Sequence, residues 1–140
     1  MKILLAVDGS STTKRMLATL AAHDEMLRGD NQYTALTILP LIPAHAAAFL
    51  PRESIDGWYR DEAEKVLSPV RAFAKQNAWA LDERFMAGQA GDAIVALADE
   101  GAYDMIVMGT HGHSALGNVV MGSTATRVLA RTKKPVLLIP

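Results

Sequence analysis

The stretch Lys2-Ile-Leu-Leu-Ala-Val-Asp-Gly-Ser10 begins as an unbroken apolar run and stops at a polar turn. An apolar run without alternation is what a strand covered on both faces requires, and Asp-Gly-Ser has the chemistry of a turn. Outward from it, residues 11–27 place Met16, Leu17, Leu20 and Leu27 on one side of a 3.6-residue period, which predicts a helix stopped at Gly29. Residues 33–39 are rich in β-formers and end at Pro40. Residues 54–77 carry Tyr59, Val66, Leu67, Val70, Phe73 and Ala74 at helical spacing, with a kink expected at Pro69. Strand, helix and strand follow again over 81–86, 92–100 and 103–108, and Ser123 is placed to cap a helix to about Arg131 before a last strand over 135–139. Five strands alternating with four helices demand parallel pairing through helical, right-handed crossovers. The expected fold is therefore α/β, a doubly wound five-stranded parallel sheet with helices on both faces, of Rossmann-like type.

The composition sets the outer limits. At 140 residues, one domain over 1–140 is expected, with half of the residues hydrophobic and 21% charged, enough to build a core. Fourteen basic against fifteen acidic side chains give a net charge of −1, which disfavours nucleic acid and acidic membranes as partners. There is no cysteine, so disulfides, Cys-ligated zinc and a thiol nucleophile are excluded. The apolar run after Lys2 is too short for a secretory leader, and the charge-poor stretch over 34–51 is broken by Pro40 and Pro43, so neither export nor a membrane span is expected. The expected location is the cytoplasm.

Open parallel sheets bind ligands beyond the carboxyl ends of their strands, and two such ends are unusual here. Asp8 follows the first strand, where it could serve a magnesium ion, bond a ligand hydroxyl or hold the turn. Gly109-Thr-His-Gly112 follows the fourth, and Gly122-Ser123 opens the last helix. Glycines let backbone amides approach a phosphate, and a helix N-terminus adds free amides and a positive dipole end, so the two together describe an anion cradle.

The spacing Gly109, two residues, Gly112, nine residues, Gly122, Ser123 resembles the nucleotide-binding signature of the universal stress protein family. The openings Ile3-Leu-Leu-Ala-Val-Asp8-Gly-Ser10 and Asp104-Met-Ile-Val-Met-Gly109, with the closing Pro135-Val-Leu-Leu-Ile-Pro140, look like that family's first, fourth and last strands. The resemblance implies an adenine nucleotide alpha hydrolase-like fold that binds ATP (or AMP or ADP) with Mg2+, dimerises, and serves stress survival as a sensor or regulator. It also implies nucleotide contacts at Ala6, Val7, Asp8, Ser10, Ile38, Met108, Gly109, His111, Gly112, Gly122, Ser123 and Thr124. Asp8 would lie near ribose or metal, the backbone around Ile38 near adenine, and Ser123 and Thr124 on the phosphates. Many relatives carry Arg or Lys in the nine-residue segment, whereas residues 113–121 here read His-Ser-Ala-Leu-Gly-Asn-Val-Val-Met. Phosphate charge would then fall to amides, magnesium, His111, His113 or Arg127.

Other expectations are plainer. The P-loop, dinucleotide and nucleophile-elbow patterns are absent. His23 and His45 are read as solvated or packing groups, Met105, Met108 and Met121 as core filling, and Lys133-Lys134 as a helix carboxyl end. Residues 41–51 are apolar for a loop and either fold back on the second helix or form a lid or partner surface. The last strand, at a sheet edge, invites pairing across a two-fold axis, so a homodimer through Pro135, Val136, Leu137, Leu138 and Ile139 is expected. The alternatives to a binding protein are a slow ATPase or self-phosphorylating enzyme using Ser10, Ser114 or Ser123, and a nucleotide-free interaction module.

Overall fold

The opening apolar run forms β1 (Lys2–Ala6), the central strand of a five-stranded parallel sheet. The computed structural model describes residues 1–27, 30–112 and 121–140. Strand β2 (Gln32–Leu39) flanks β1 on one side and β4 (Met105–Gly109) on the other. Strand β3 (Ala80–Ala87) lies outside β2, and β5 (Val136–Ile139) outside β4, giving the order β3-β2-β1-β4-β5. The β1–β4 register is locked at its start, where Lys2 N donates to Asp104 Oδ2 at 2.7 Å and Asp104 N donates to Lys2 O at 2.7 Å.

Successive strand side chains point to opposite faces, and each face has its own core. On one, Ile3, Leu5 and Val7 pack with Met16, Leu17 and Leu20 of α1 (Ser11–Ala22) and with Leu67 and Val70 of the long helix Arg52–Gln76. On the other, Leu4, Leu36, Ile106 and Met108 pack with Ile94 and Leu97 of the helix Ala90–Glu100 and Val128 of the helix Ser123–Arg131. These helices are α3, α4 and α5, and α2 is the short helix Ala44–Ala47. Two covered faces are why β1 reads as continuously apolar: burial of each such aliphatic side chain contributes about 1.5–3 kcal/mol. The doubly wound α/β fold expected from the sequence is the one observed.

Several boundaries differ from expectation. Helix α1 stops at Ala22, with residues 24–27 in a separate 3-10 turn that buries Leu27, and Gly29 lies outside the described residues. Helix α3 starts at Arg52 and continues through Pro69, which sits on its exposed side. Helix α5 ends at Arg131, so Lys133 and Lys134 follow the helix rather than close it. The apolar segment 41–51 contains α2 and is tied back to α3, Ile42 N donating to the Tyr59 hydroxyl at 2.8 Å, while Phe49 remains 88% exposed. Among the described residues, no helix is long and apolar enough to cross a membrane.

The topology selects one place for a site. From β1 the chain winds outward to β2 and β3, then returns to β4 on the other side of β1. At that reversal the connections after β1 and after β4 leave in opposite directions and open a crevice above their carboxyl ends.

Candidate functional site

The crevice is bounded first by the turn after β1. Gly9 adopts a left-handed backbone, φ +78°, which a residue without Cβ takes without strain. The turn lets Asp8 cap it: Asp8 Oδ1 accepts from Ser10 N and from the Thr13 hydroxyl, each at 2.9 Å, and Asp8 N donates to Thr13 Oγ1 at 3.1 Å. Of the three roles open to Asp8 from the sequence, holding the turn is therefore realised. Ser10 is the N-cap residue of α1 in extended conformation, yet its hydroxyl caps nothing. Its Oγ is buried with no hydrogen-bond partner among the described residues.

The second boundary is the segment after β4. Thr110 N continues the ladder to Ile139 O at 2.9 Å, and Thr110 Oγ1 lies 3.0 Å from His111 Nδ1. The chain returns at Gly122, whose N donates to Thr110 O at 2.6 Å, so both ends of the glycine segment meet at one point. His113 and Ser114 lie outside the described residues, as does the run to Val120. At α5 the N-cap residue is Gly122, not Ser123, and Ser123 is the first helical residue. Gly122 has no side chain with which to cap this end, no acidic residue stands in its first turn, and Ser123 and Thr124 at its start line the crevice, so among the described residues no side chain takes up its leading amides.

Gly109, Gly112 and Gly122 answer to their neighbours in a way spacing could not reveal. A Cβ on Gly109 would collide with Thr12 Cγ2 of α1, one on Gly112 would lie 2.5 Å from Asp8 Oδ2, and one on Gly122 would lie 3.2 Å from Thr110 O. None of the three has a left-handed backbone, so close approach within the protein, to the Thr12 methyl at Gly109 and to the Asp8 carboxylate at Gly112, rather than conformation, is what an added Cβ would meet.

These elements enclose a cavity of about 440 Å³, within the range of small-molecule sites. All twelve residues singled out from the sequence line it. Seven more do so that sequence reasoning did not name: Thr12, Thr13, Leu36, Ala90, Ile94, Thr110 and Ala125. Thr12 and Thr13 carried a signal, being polar yet on the same α1 face as Met16, Leu17 and Leu20, and both are buried. Ala90 and Ile94 carried none, because α4 reaches the crevice only through its packing on α5 and β2. The cavity is two-sided in character: Leu36, Ile38, Ile94 and Met108 make an apolar part, while Asp8, Ser10, Gly112 and the start of α5 make a polar one.

Arg127, one of the alternatives for meeting phosphate charge, is placed elsewhere. Its methylenes lie against Gly91 of α4, where a Cβ would come within 2.9 Å of Arg127 Cβ. Its guanidinium grips Asp92 through Nε at 2.9 Å and Nη2 at 3.0 Å, and Arg131 adds a third contact at 2.9 Å. The hydrogen bonds from Arg127 hold the Asp92 carboxyl below its usual pKa and raise that of Arg127 itself. The ion pair binds α4 to α5 and keeps the nearest arginine of α5 out of the cavity wall. Residues 41–51 also stay out of that wall, so of the readings open to them, folding back on α3 is the one seen and a lid is not.

The model of the universal stress protein family matches residues 1–140. A universal stress protein of Thermus aquaticus is 31% identical over 137 residues, 98% of this chain and 96% of that protein. A universal stress protein of Synechocystis sp. is 29% identical over 136 residues, which are 97% of this chain but only 41% of that protein's length. In three dimensions the fold is similar to UspA from Lactobacillus plantarum, with a TM-score of 0.80 at 20% identity, covering 100% and 97% of the two chains. It is also similar to the universal stress protein from Archaeoglobus fulgidus in complex with dAMP, with a TM-score of 0.67 at 26% identity, covering 100% and 98%.

Proposed function

The chain belongs to the universal stress protein family, and from that premise we propose that the cleft above β1 and β4 binds an adenine nucleotide, with binding rather than turnover as its function. The observation that carries this reading is the meeting, in one cavity, of an apolar part with the N-terminus of α5. A nucleotide has the same two ends. Its base would lie against Leu36, Ile38 and Val7, its ribose near Asp8, and its phosphate on the amides and hydroxyls of Ser123 and Thr124 beside Gly109, Gly112 and Gly122. The buried, unpartnered Ser10 hydroxyl supports a polar ligand there, since an unsatisfied buried group costs about 1–3 kcal/mol and a ligand atom would satisfy it. The dAMP held by the Archaeoglobus relative supports the adenine assignment.

AMP, ADP and ATP share the adenosine end and differ only in the chain laid along α5. Magnesium fits this donor set in one manner only. Asp8 is the sole acidic residue in the cavity wall, and no cluster of three metal-ligating side chains exists among the described residues. One carboxylate holds Mg2+ when phosphates and water complete the shell, so the ion would arrive with the nucleotide.

Calorimetric titration of nucleotide-free protein with AMP, ADP and ATP tests the reading. At least one is expected to give saturable heat, and at a hundred times its Kd to raise the Tm by roughly 10 °C, equivalent to about 2.7 kcal/mol. No heat and no Tm shift with any of the three would end it.

We further propose that the protein acts as a cytoplasmic regulator in the form of a homodimer, with residues 1–140 as one domain. The absence of cysteine suits a reducing compartment. Among the described residues strand β5 pairs with β4 alone, and it carries half-buried Val136, Leu137 and Leu138 at the sheet edge, a surface that a second β5 would cover. Sedimentation is expected to give twice the chain mass at micromolar concentration, and Leu137→Glu is expected to yield monomer. A single-chain mass at every concentration of the unmutated protein would dismiss the dimer.

A further inference from the structure

The edge of the sheet opposite β5 carries an arrangement that the cleft does not use. Strand β3 is outermost there, and α3 packs on it. Towards the end of α3, Arg71 ties the two together, bonding Glu64 at 2.7 Å and Glu83 of β3 at 2.7 and 2.8 Å. Nearer its start the same side of α3 holds Asp56 and Arg60, one turn apart. With Tyr59, Phe85, Met86 and Ala87 they line a second cavity, of about 260 Å³. Unlike Arg71, neither Asp56 nor Arg60 has an ion-pair partner among the described residues, and they do not pair with each other. Nine large apolar side chains stand exposed among the described residues, and six of them, Leu41, Phe49, Leu50, Trp58, Phe85 and Met86, belong to residues 41–58 and the end of β3. Such a concentration marks an interaction surface, which scattered single residues do not. Gly57 lies between Asp56 and Arg60 inside α3, and a Cβ added to it would meet nothing within 4 Å. Glycine weakens a helix relative to alanine, and no neighbour within the chain requires it here; a closely approaching second chain would.

We infer that this face docks a second copy of the chain across a two-fold axis, separately from any pairing through β5. Charge selects this occupant. With the axis between Asp56 and Arg60, Asp56 of each copy meets Arg60 of the other, so the two unpaired groups are self-complementary. A surface of a single sign would satisfy one of them and repel the other. Gly57, beside the axis, lets the two α3 helices come close, and the contact covers Phe85 and Met86. The area is that of a few helix turns and one strand end, which places the contact among weak, transient interfaces. Because β3 and β5 are opposite edges of the sheet, a chain paired through β5 still presents this face.

Leu137→Glu, which removes the β5 contact, isolates the one at α3. Sedimentation equilibrium of that variant from about 10 μM to about 1 mM is expected to show the mass rising from one chain towards two. A single-chain mass up to the highest concentration would overturn the inference without touching the β5 dimer, which is read from the unmutated protein at micromolar concentration. Added to Leu137→Glu, either Asp56→Arg or Arg60→Asp sets like charges opposite each other twice over, and each is expected to weaken association by about ten-fold or more. An equal mixture of the two variants is expected to associate again, since one then offers two positive and the other two negative groups across the axis. A mixture that stays apart would overturn the two-fold pairing. Gly57→Gln supplies a readout that a merely structural role would not give. It is expected to raise the Tm by roughly 3–5 °C, the helix gaining a better former, and yet to weaken association by about ten-fold or more. A stabilised protein that associates as before would show that the helices do not meet at Gly57, and the inference would fall. Should Leu137→Glu not fold, the unmutated protein carries the test: its mass is expected to rise further between micromolar and millimolar concentration, and Asp56→Arg to abolish that rise. A mass constant over that range would be equally fatal.

Discussion

Gly109→Ala is expected to lower the stability of the protein by about 1–3 kcal/mol, the usual cost of an added group where no space exists. The new methyl would meet Thr12 Cγ2 and Cβ of α1 on one side and His111 O, at 3.1 Å, on the other. Relief has to come from α1 moving off β4 or from His111 shifting, and both line the cleft, so nucleotide affinity should fall together with stability. The collision names its own suppressor. Thr12→Ser deletes Cγ2 and keeps the hydroxyl that accepts from Arg15 at 3.1 Å, so adding it to Gly109→Ala should return part of the loss. Urea unfolding of the four proteins closes a double-mutant cycle, with a favourable coupling of about 0.5–2 kcal/mol expected for residues in direct contact. Simple additivity would mean that the crowding is relieved elsewhere and that Thr12 is not what dictates glycine at this position.

A larger loss is expected from Leu36→Ala. Leu36 is 1% exposed and shares a cluster with Leu4, Ile94 and Ile106, so truncation should cost about 2–5 kcal/mol, the range for a buried leucine whose surroundings collapse incompletely. Because Leu36 also forms part of the cavity wall, the variant should bind adenine nucleotides more weakly, having lost apolar surface at the base end. Ile38, two residues on in β2, lines the same cavity but is only half-buried. Ile38→Ala should therefore weaken the nucleotide comparably while lowering stability by only about 1 kcal/mol, in keeping with its smaller buried area. Thermal unfolding with and without nucleotide separates the two effects. Equal stability losses at the two positions would contradict the burial that distinguishes them.

Much of the site could be read from residue order because it is built at strand ends. In a parallel sheet of this order, the turns after β1 and β4 must lie side by side, so Asp8 and Gly109 are brought together by topology alone. The reading stops at contacts between helices. Thr12 and Thr13 stand out in sequence only as polar residues on the apolar face of α1, and what they do shows once α1 is laid on the sheet, where one abuts Gly109 and the other bonds Asp8. Arg127, placed one turn inside α5, is one of several candidates for the phosphate charge in sequence and becomes an α4 partner only when Asp92 arrives beside it. Ser123 looks like a cap, but the chain reverses one residue earlier, where Gly122 is held by Thr110 O.

The sequence by itself determined the α/β order, a first strand covered on both faces and the glycine spacing, because these depend on periodicity and turn chemistry, which are local. It also determined that no fixed cation stands between Gly112 and Gly122. Only the tertiary structure decided what an added Cβ would meet at Gly109 and Gly112, where the arginines of α5 go, and that α4 contributes Ala90 and Ile94 to the cavity wall. Those outcomes depend on which side chains from distant parts of the chain come within a few ångströms of one another. That is set by how two helical layers settle on a twisted sheet, and no local pattern in the chain encodes it.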